Sequence, residues 1–221
     1  MTAQRRKEAL HDIFAQVAKA MGNAKRLLLI DVLSQSERTV DSLARATGLG
    51  ITTTSAHLQA LRHNGLVAAR REGTRIYYSL SGEDVARLYV VLREVARAHH
   101  AEAELAVRDY LGTDDIGHVA RADLLRRLRA DRVIVLDVRP AEEFASGHID
   151  SAVSIPLDEL RHRLAEFPND CEVIVYCRGA DCVLAYEAVR LLQENGISAN
   201  RLEDGMLEWR LAGLPVTTGA A

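Results

Sequence analysis

One stretch constrains this chain more than any other. Glu172-Val-Ile-Val-Tyr176 is an apolar run of strand type that ends on Cys177. Arg178-Gly-Ala-Asp181 turns the chain, and beyond Cys182 the residues Leu184, Val189 and Leu192 recur at helical spacing opposite Glu187, Arg190 and Glu194. Strand, tight turn and helix start in that order put a cysteine at the end of a buried strand, facing backbone N–H groups and the positive end of a helix. Such surroundings favour the thiolate, which is the nucleophile, and Arg178 adds positive charge next door. The competing reading is a structural cysteine that merely ends a strand.

Hydrophobic residues make up 48% and charged residues 27% of the 221 positions, which suits two modest globular domains with ordinary cores. No apolar run approaches the ~20 residues of a membrane-spanning helix, and Arg5-Arg6-Lys7-Glu8 leads into no apolar signal core. A cytoplasmic location with no membrane partner is therefore expected. Three cysteines, none before Cys171, are too few for a disulfide framework and in a reducing compartment point to chemistry. Charge is split along the chain: 16 Lys/Arg stand against 12 Asp/Glu up to Gly112, and 12 against 19 beyond it. Only the basic first half is suited to a polyanion.

In that half, Leu10, Ile13, Phe14, Val17 and Met21 predict a helix over about residues 6–21. Ala24–Leu33 follows as a second, with Leu27, Leu28, Ile30 and Leu33 inward. Thr39 is placed to cap a short helix over Val40–Thr47, which Gly48 follows. Beyond Gly48-Leu-Gly50, the segment Ile51–Asn64 forms the next helix, anchored by Leu58 and Leu61 and stopped by Gly65. Two short helices around a glycine turn make a helix-turn-helix. The second carries Thr52, Thr53, Thr54, Ser55, His57, Gln59 and Arg62, short polar groups for phosphates and base edges. Leu66–Leu80 alternates as two strands about a Glu72-Gly73 turn, with Ile76, Tyr78 and Leu80 inward. Arg70, Arg71 and Arg75 lie near its tip, where a β-wing meets backbone phosphates. Ser81–Leu111 reads as one long helix with too much apolar surface to stand alone, which fits a dimerisation element. Its His99, His100 and Glu102 are weak metal-ligand candidates beside the plainer reading of a solvated histidine pair.

Three blocks of the second half agree with one another: Val133-Ile-Val-Leu-Asp137-Val-Arg139-Pro with Glu143 and Gly147-His148-Ile149, the Cys177 loop, and Glu203-Asp204-Gly205 through Trp209 to Gly213-Leu-Pro215. In this order they resemble the rhodanese (sulfurtransferase) domain. The resemblance implies an α/β domain with a mainly parallel central sheet and a catalytic Cys177 that carries sulfane sulfur as a persulfide. Asp137, Arg139, Glu143 and His148 are then architectural. The family's loop runs cysteine, four residues, arginine; here Cys182 holds the arginine's place. Losing that arginine removes a donor suited to thiosulfate, so weak thiosulfate turnover is expected. Cys182 is in exchange a possible resolving thiol, or a residue that only packs at the helix start. A direct bridge needs Cα atoms within about 7 Å. A cradle-shaped loop can exceed that limit, and one or two added sulfurs would relax it.

From about Phe14 to Leu80 the chain resembles the winged helix-turn-helix of ArsR-type repressors, on Ala56-His57-Leu58, Leu61-Arg62, Gly65-Leu66-Val67 and Gly73 with Ile76-Tyr77-Tyr78. This implies a homodimer on a two-fold symmetric double-stranded DNA operator, each recognition helix in a major groove. The arsenic sensors place cysteines at the start of the helix before the turn. Here Arg38-Thr-Val-Asp41-Ser stands instead, so arsenite or cadmium sensing at that site is not expected.

The fold expected is thus two domains: a mainly α winged helix-turn-helix with its β-wing over residues 1–112, then, across a short link at Thr113–Gly117, an α/β rhodanese domain over 113–221. The function expected is a DNA-binding repressor that senses or handles reactive sulfur through Cys177, the donor being polysulfide, thiosulfate or another sulfane-sulfur compound. The alternatives are an active sulfurtransferase of thiosulfate or mercaptopyruvate type carrying a DNA-binding domain, and a metal-responsive repressor. There is no phosphate-binding glycine loop, and no cofactor is expected.

Overall fold

The computed structural model describes residues 2–112, 116–129, 133–168 and 171–219. They form two compact units, Met1–Arg93 and Glu94–Ala221.

The first unit begins with α1 (Ala3–Met21) and α2 (Ala24–Leu33), continues through β1 (Arg38–Thr39), α3 (Val40–Thr47) and α4 (Ile51–His63), and adds β2 (Val67–Glu72), β3 (Arg75–Leu80) and the start of α5 (Glu83–His99). Local side-chain chemistry sets most of these limits. Asn23 Oδ1 accepts the N–H of Arg26 at 3.2 Å, and Thr39 Oγ1 accepts that of Ser42 at 3.4 Å. Gly48 closes α3 at φ 67°, a left-handed conformation that disfavours a side chain. Leu29, Ile30, Leu43, Leu58 and Leu61 are fully buried in one cluster that Tyr78 joins from the wing.

Two inward assignments need correction. Leu28 is exposed while its neighbour Leu29 is buried. Ile76 is exposed although Tyr78 on the same face is not, because its partner in the register is Arg71, out at the tip of the wing. The reversal itself lies at Gly73-Thr74, since Glu72 pairs with Arg75 and Gly73 takes φ 59°. The sheet also has a third strand, β1, whose Arg38 pairs with Tyr78.

The division between the units falls inside α5. In place of one helix from Ser81 to Leu111 there are two, because His100 adopts an extended conformation (φ −107°, ψ 107°) and α6 (Ala101–Leu111) restarts beyond it. No glycine or proline marks the break in the sequence; Arg97, one turn before it, bonds Glu104 across it. Of the expected link, residues 113–115 lie outside the described residues, while Ile116 is buried in the core of the second unit.

The second unit continues with β4 (His118–Val119), α7 (Arg121–Leu128), β5 (Val133–Asp137), α8 (Ala141–Ser146), β6 (His148–Ile149), β7 (Val153–Ser154), α9 (Leu157–Leu160), β8 (Glu172–Tyr176), α10 (Val183–Glu194), β9 (Ala199–Leu202), α11 (Met206–Leu211) and β10 (Val216–Thr217). Five strands form a sheet in the order β4-β9-β8-β5-β7, every pair parallel. Residues 133–136 of β5 and 173–176 of β8 are continuous apolar runs, as suits strands with both faces of the sheet covered. Ala188, Val189 and Leu192 of α10 and Leu160 of α9 pack on one face; Leu124 of α7 and Trp209 of α11 pack on the other. Cys177 stands at the end of β8, the middle strand. Among the described residues no helix is long and apolar enough to cross a membrane.

Candidate functional site

Residues 177–182 form the turn from β8 into α10. Cys177 is 1% exposed, and Cys182 is the N-cap of α10. Their Cα atoms are 6.0 Å apart and their sulfurs are joined in a disulfide, so the loop is tight enough for a direct bridge and needs no inserted sulfur. The turn is closed by the N–H of Cys182 donating to Gly179 O at 3.1 Å. On its other side the carbonyls of Cys177 and Arg178 accept the N–H groups of Met206 and Leu207 at 2.8 and 2.9 Å, the first donors of α11. This docking requires a glycine just before the helix. A Cβ on Gly205 would lie 2.7 Å from the carbonyl carbon of Arg178 and closer still to the Gly179 backbone, below the 3.0 Å that real Cβ atoms essentially never show.

Arg178 is bound to a carboxylate. Its guanidinium grips both oxygens of Glu143, at 2.7 to 3.1 Å, and Glu143 is fully buried. Its charge is thereby compensated, and it anchors the loop to α8. The guanidinium directed at the loop comes instead from Arg201 on β9, which donates to the carbonyls of Ala180 and Glu203, each at 3.1 Å, and lies 4.7 Å from the Tyr186 ring centre. Asp181, between the two cysteines, pairs with Arg97 of α5 at 2.7 Å. Below the loop, Asp137 and Arg139 form a fully buried ion pair at 2.6 Å, and Arg139 also bonds Gly147 O. Cys171 is a half-buried free thiol before β8.

In the first unit, α4 exposes Thr52, Gln59 and Arg62 and leaves Thr53, Ser55 and His57 half-exposed. Thr54 is fully buried and its hydroxyl donates to Gly50 O, so it cannot reach a base or a phosphate. Burial, then the positive charges of Arg26 and Lys25, lower the His57 pKa, so at neutral pH the helix presents a neutral imidazole. Arg71 and Arg75 are exposed at the wing. Arg70 is already held by Glu37 and Glu72, each at 2.6 Å. Ser55, Gln59, Arg75 and Ile76 line one groove between α4 and the wing.

Residues 23–69 match the family model "Bacterial regulatory protein, arsR family", and residues 120–212 match "Rhodanese-like domain". The HTH-type transcriptional regulator Rv0324 of Mycobacterium tuberculosis is 53% identical over 215 residues, covering 97% of this chain and 95% of that protein. The chain belongs to the ArsR-type transcriptional regulators with a rhodanese-like domain. A protein described as a sulfurtransferase in Allochromatium vinosum is 29% identical over 103 residues, 46% of the regulator and 94% of that protein. The homodimeric winged helix-turn-helix DNA-binding domain of Mb0332 from Mycobacterium bovis, solved by NMR, is 51% identical over 46% of the regulator and 93% of its own chain, with a TM-score of 0.42.

Within the regulator the candidate metal ligands do not converge: His99 ends α5, His100 precedes α6, Glu102 follows, and all three are exposed. Among the described residues no three His, Cys, Asp or Glu side chains are grouped to hold an ion. Sequence reasoning missed Arg201 and the Arg97–Asp181 pair, since both partners are far away along the chain. The one legible hint was a charged residue on an otherwise apolar strand, in Ala199-Asn-Arg-Leu202.

Proposed function

We propose that this regulator works as a homodimer in the cytoplasm and senses reactive sulfur through Cys177 and Cys182. The observation that carries the reading is the bondable pair itself: two cysteines 6.0 Å apart in a loop clamped at both ends. The chemistry closes on these atoms. The Cys177 thiolate attacks the terminal sulfur of a sulfane donor R–S–SH, the donor S–S bond breaks, and R–S⁻ leaves with the electron pair, giving the Cys177 persulfide. The Cys182 thiolate then attacks the Cys177 sulfur, forming the disulfide and expelling HS⁻. The cysteine pair is oxidised by two electrons and the sulfane sulfur is reduced to hydrosulfide. Without an arginine at position 182, the loop is better suited to this one-way response than to turnover on thiosulfate.

For the DNA side, Thr52, Thr53, Ser55, His57, Gln59 and Arg62 are the base and phosphate contacts, with Arg71 and Arg75 on flanking phosphates. Alanine at Arg71 or Arg75 is expected to weaken binding on all sequences alike. Each should flatten the slope of log affinity against log salt by about one, read by titration at several salt concentrations. Dimerisation is supported by apolar side chains that α1 and α5 leave exposed: Leu10, Ile13, Phe14, Leu88, Val91 and Leu92.

The deciding experiment is DNA-binding anisotropy on the region upstream of the regulator's own gene, with and without polysulfide, alongside intact mass. Wild type is expected to lose about tenfold in affinity, about 1.4 kcal/mol of coupling, and two hydrogens in mass. Cys177→Ser should do neither. Cys182→Ser should gain one sulfur and keep it. Equal release of DNA by Cys177→Ser would overturn the reading.

A further inference from the structure

Arg201 is 5% exposed, yet it makes no ion pair among the described residues. Two of the nearest carboxylates are committed elsewhere, Asp181 to Arg97 and Asp204 to Arg121 at 2.6 Å, and Glu203 offers its backbone carbonyl while the residue is exposed. The guanidinium is held by two carbonyl oxygens and the face of Tyr186, and its Nε is buried with no acceptor. Burying a cation without a counter-ion, with a spare N–H, is unfavourable. It is retained here directly behind the loop, in a state where both loop sulfurs are neutral because they are bonded to each other. Reduction or persulfidation creates the anion that this arrangement lacks. The other cation of the loop, Arg178, is neutralised by Glu143.

We infer that Arg201 is the positioning residue of the cysteine loop, a fixed positive charge that holds the Ala180 carbonyl and favours the anionic sulfur of reduced or persulfidated Cys177. This deepens the sulfur-sensing reading and rests on it only for its biological purpose. The groups facing Arg201 are Tyr186 from α10, Asp181 from the loop, and Glu203 and Asp204 after β9. All belong to the second unit, so the charge acts on the loop without help from DNA.

The test uses reduced full-length Cys182→Ser protein, so that Cys177 cannot close the bridge. The rate of iodoacetamide alkylation at Cys177 is followed by peptide mass across pH. Adding Arg201→Leu, close in bulk and without charge, is expected to raise the midpoint by about one unit and slow alkylation about tenfold below it. Arg201→Lys should return the midpoint most of the way. A profile for Arg201→Leu that superimposes on its parent, in protein that melts at the same temperature, overturns the proposal. If Arg201→Leu does not fold, Arg201→Gln decides in its place, keeping an N–H donor for Ala180 while removing the charge. An unmoved midpoint there is equally fatal. No arm uses DNA or polysulfide, so a regulator that ignores polysulfide would sink the sensing reading and leave this result standing.

Discussion

Replacing Asp137 with asparagine is expected to destabilise the rhodanese unit by about 3–5 kcal/mol. Both partners of the Asp137–Arg139 pair are fully buried. Asp137 accepts from Arg139 through Nε and Nη2 and also from its backbone N–H at 3.0 Å. An amide keeps the shape but removes the charge to which the buried guanidinium is bonded. The damage should spread, because the same guanidinium bonds Gly147 O and lies 5.6 Å from the Tyr176 ring centre. Gly147 ends α8, and α8 carries the Glu143 that grips Arg178, so the pair supports the frame of the cysteine loop. Urea unfolding followed by Trp209 fluorescence reads this unit alone, since Trp209 is the chain's single tryptophan. Removing both charges with Asp137→Leu and Arg139→Met should recover part of the loss but not all, because Gly147 O would stay without its donor. A double variant as stable as wild type would mean that the pair is merely tolerated.

The contrast between what the sequence foretold and what it hid follows the range of the interactions. The limits of α2 and α3 were readable because Asn23, Thr39 and Gly48 act on neighbours within a few residues. The parallel core was readable because Val133–Leu136 and Val173–Tyr176 are apolar throughout. The Cys177 loop was readable from its place between such a strand and a helix start. What failed depended on burial or on partners elsewhere. Thr54 looks like its neighbours in sequence, but its position on α4 turns it inward, where Gly50 O satisfies it. Arg178 looks like a charge beside the thiol, and only the fold brings Glu143 to take it away. The break at His100 has no local breaker, and Arg97 bridges it through contacts with Glu104 and Asp181 that no periodicity records. Arg201 meets its loop partner, Ala180, across 21 residues.

Gly205 gives the sharpest separation between DNA binding and sulfur response. Its φ of −130° is open to any residue, so alanine there would meet no backbone strain, only the loop itself. Because the obstructing atoms are backbone atoms of Arg178 and Gly179, no side chain can swing aside. Either the loop or the start of α11 must move, and the bonds from Met206 and Leu207 to the Cys177 and Arg178 carbonyls are the first to stretch. Overpacking of this kind costs about 1–3 kcal/mol, and the upper end is expected here. The functional effect should exceed the thermodynamic one, since a shifted loop no longer holds Cys177 and Cys182 at bonding distance. Gly205→Ala is therefore expected to bind DNA with wild-type affinity while closing the disulfide at least tenfold more slowly after polysulfide treatment. Timed thiol trapping with mass detection measures that rate. Closure at the wild-type rate would show that the loop reaches its bonding geometry without the support of α11, and the clamp would have to be assigned to Glu143 and Arg178 alone.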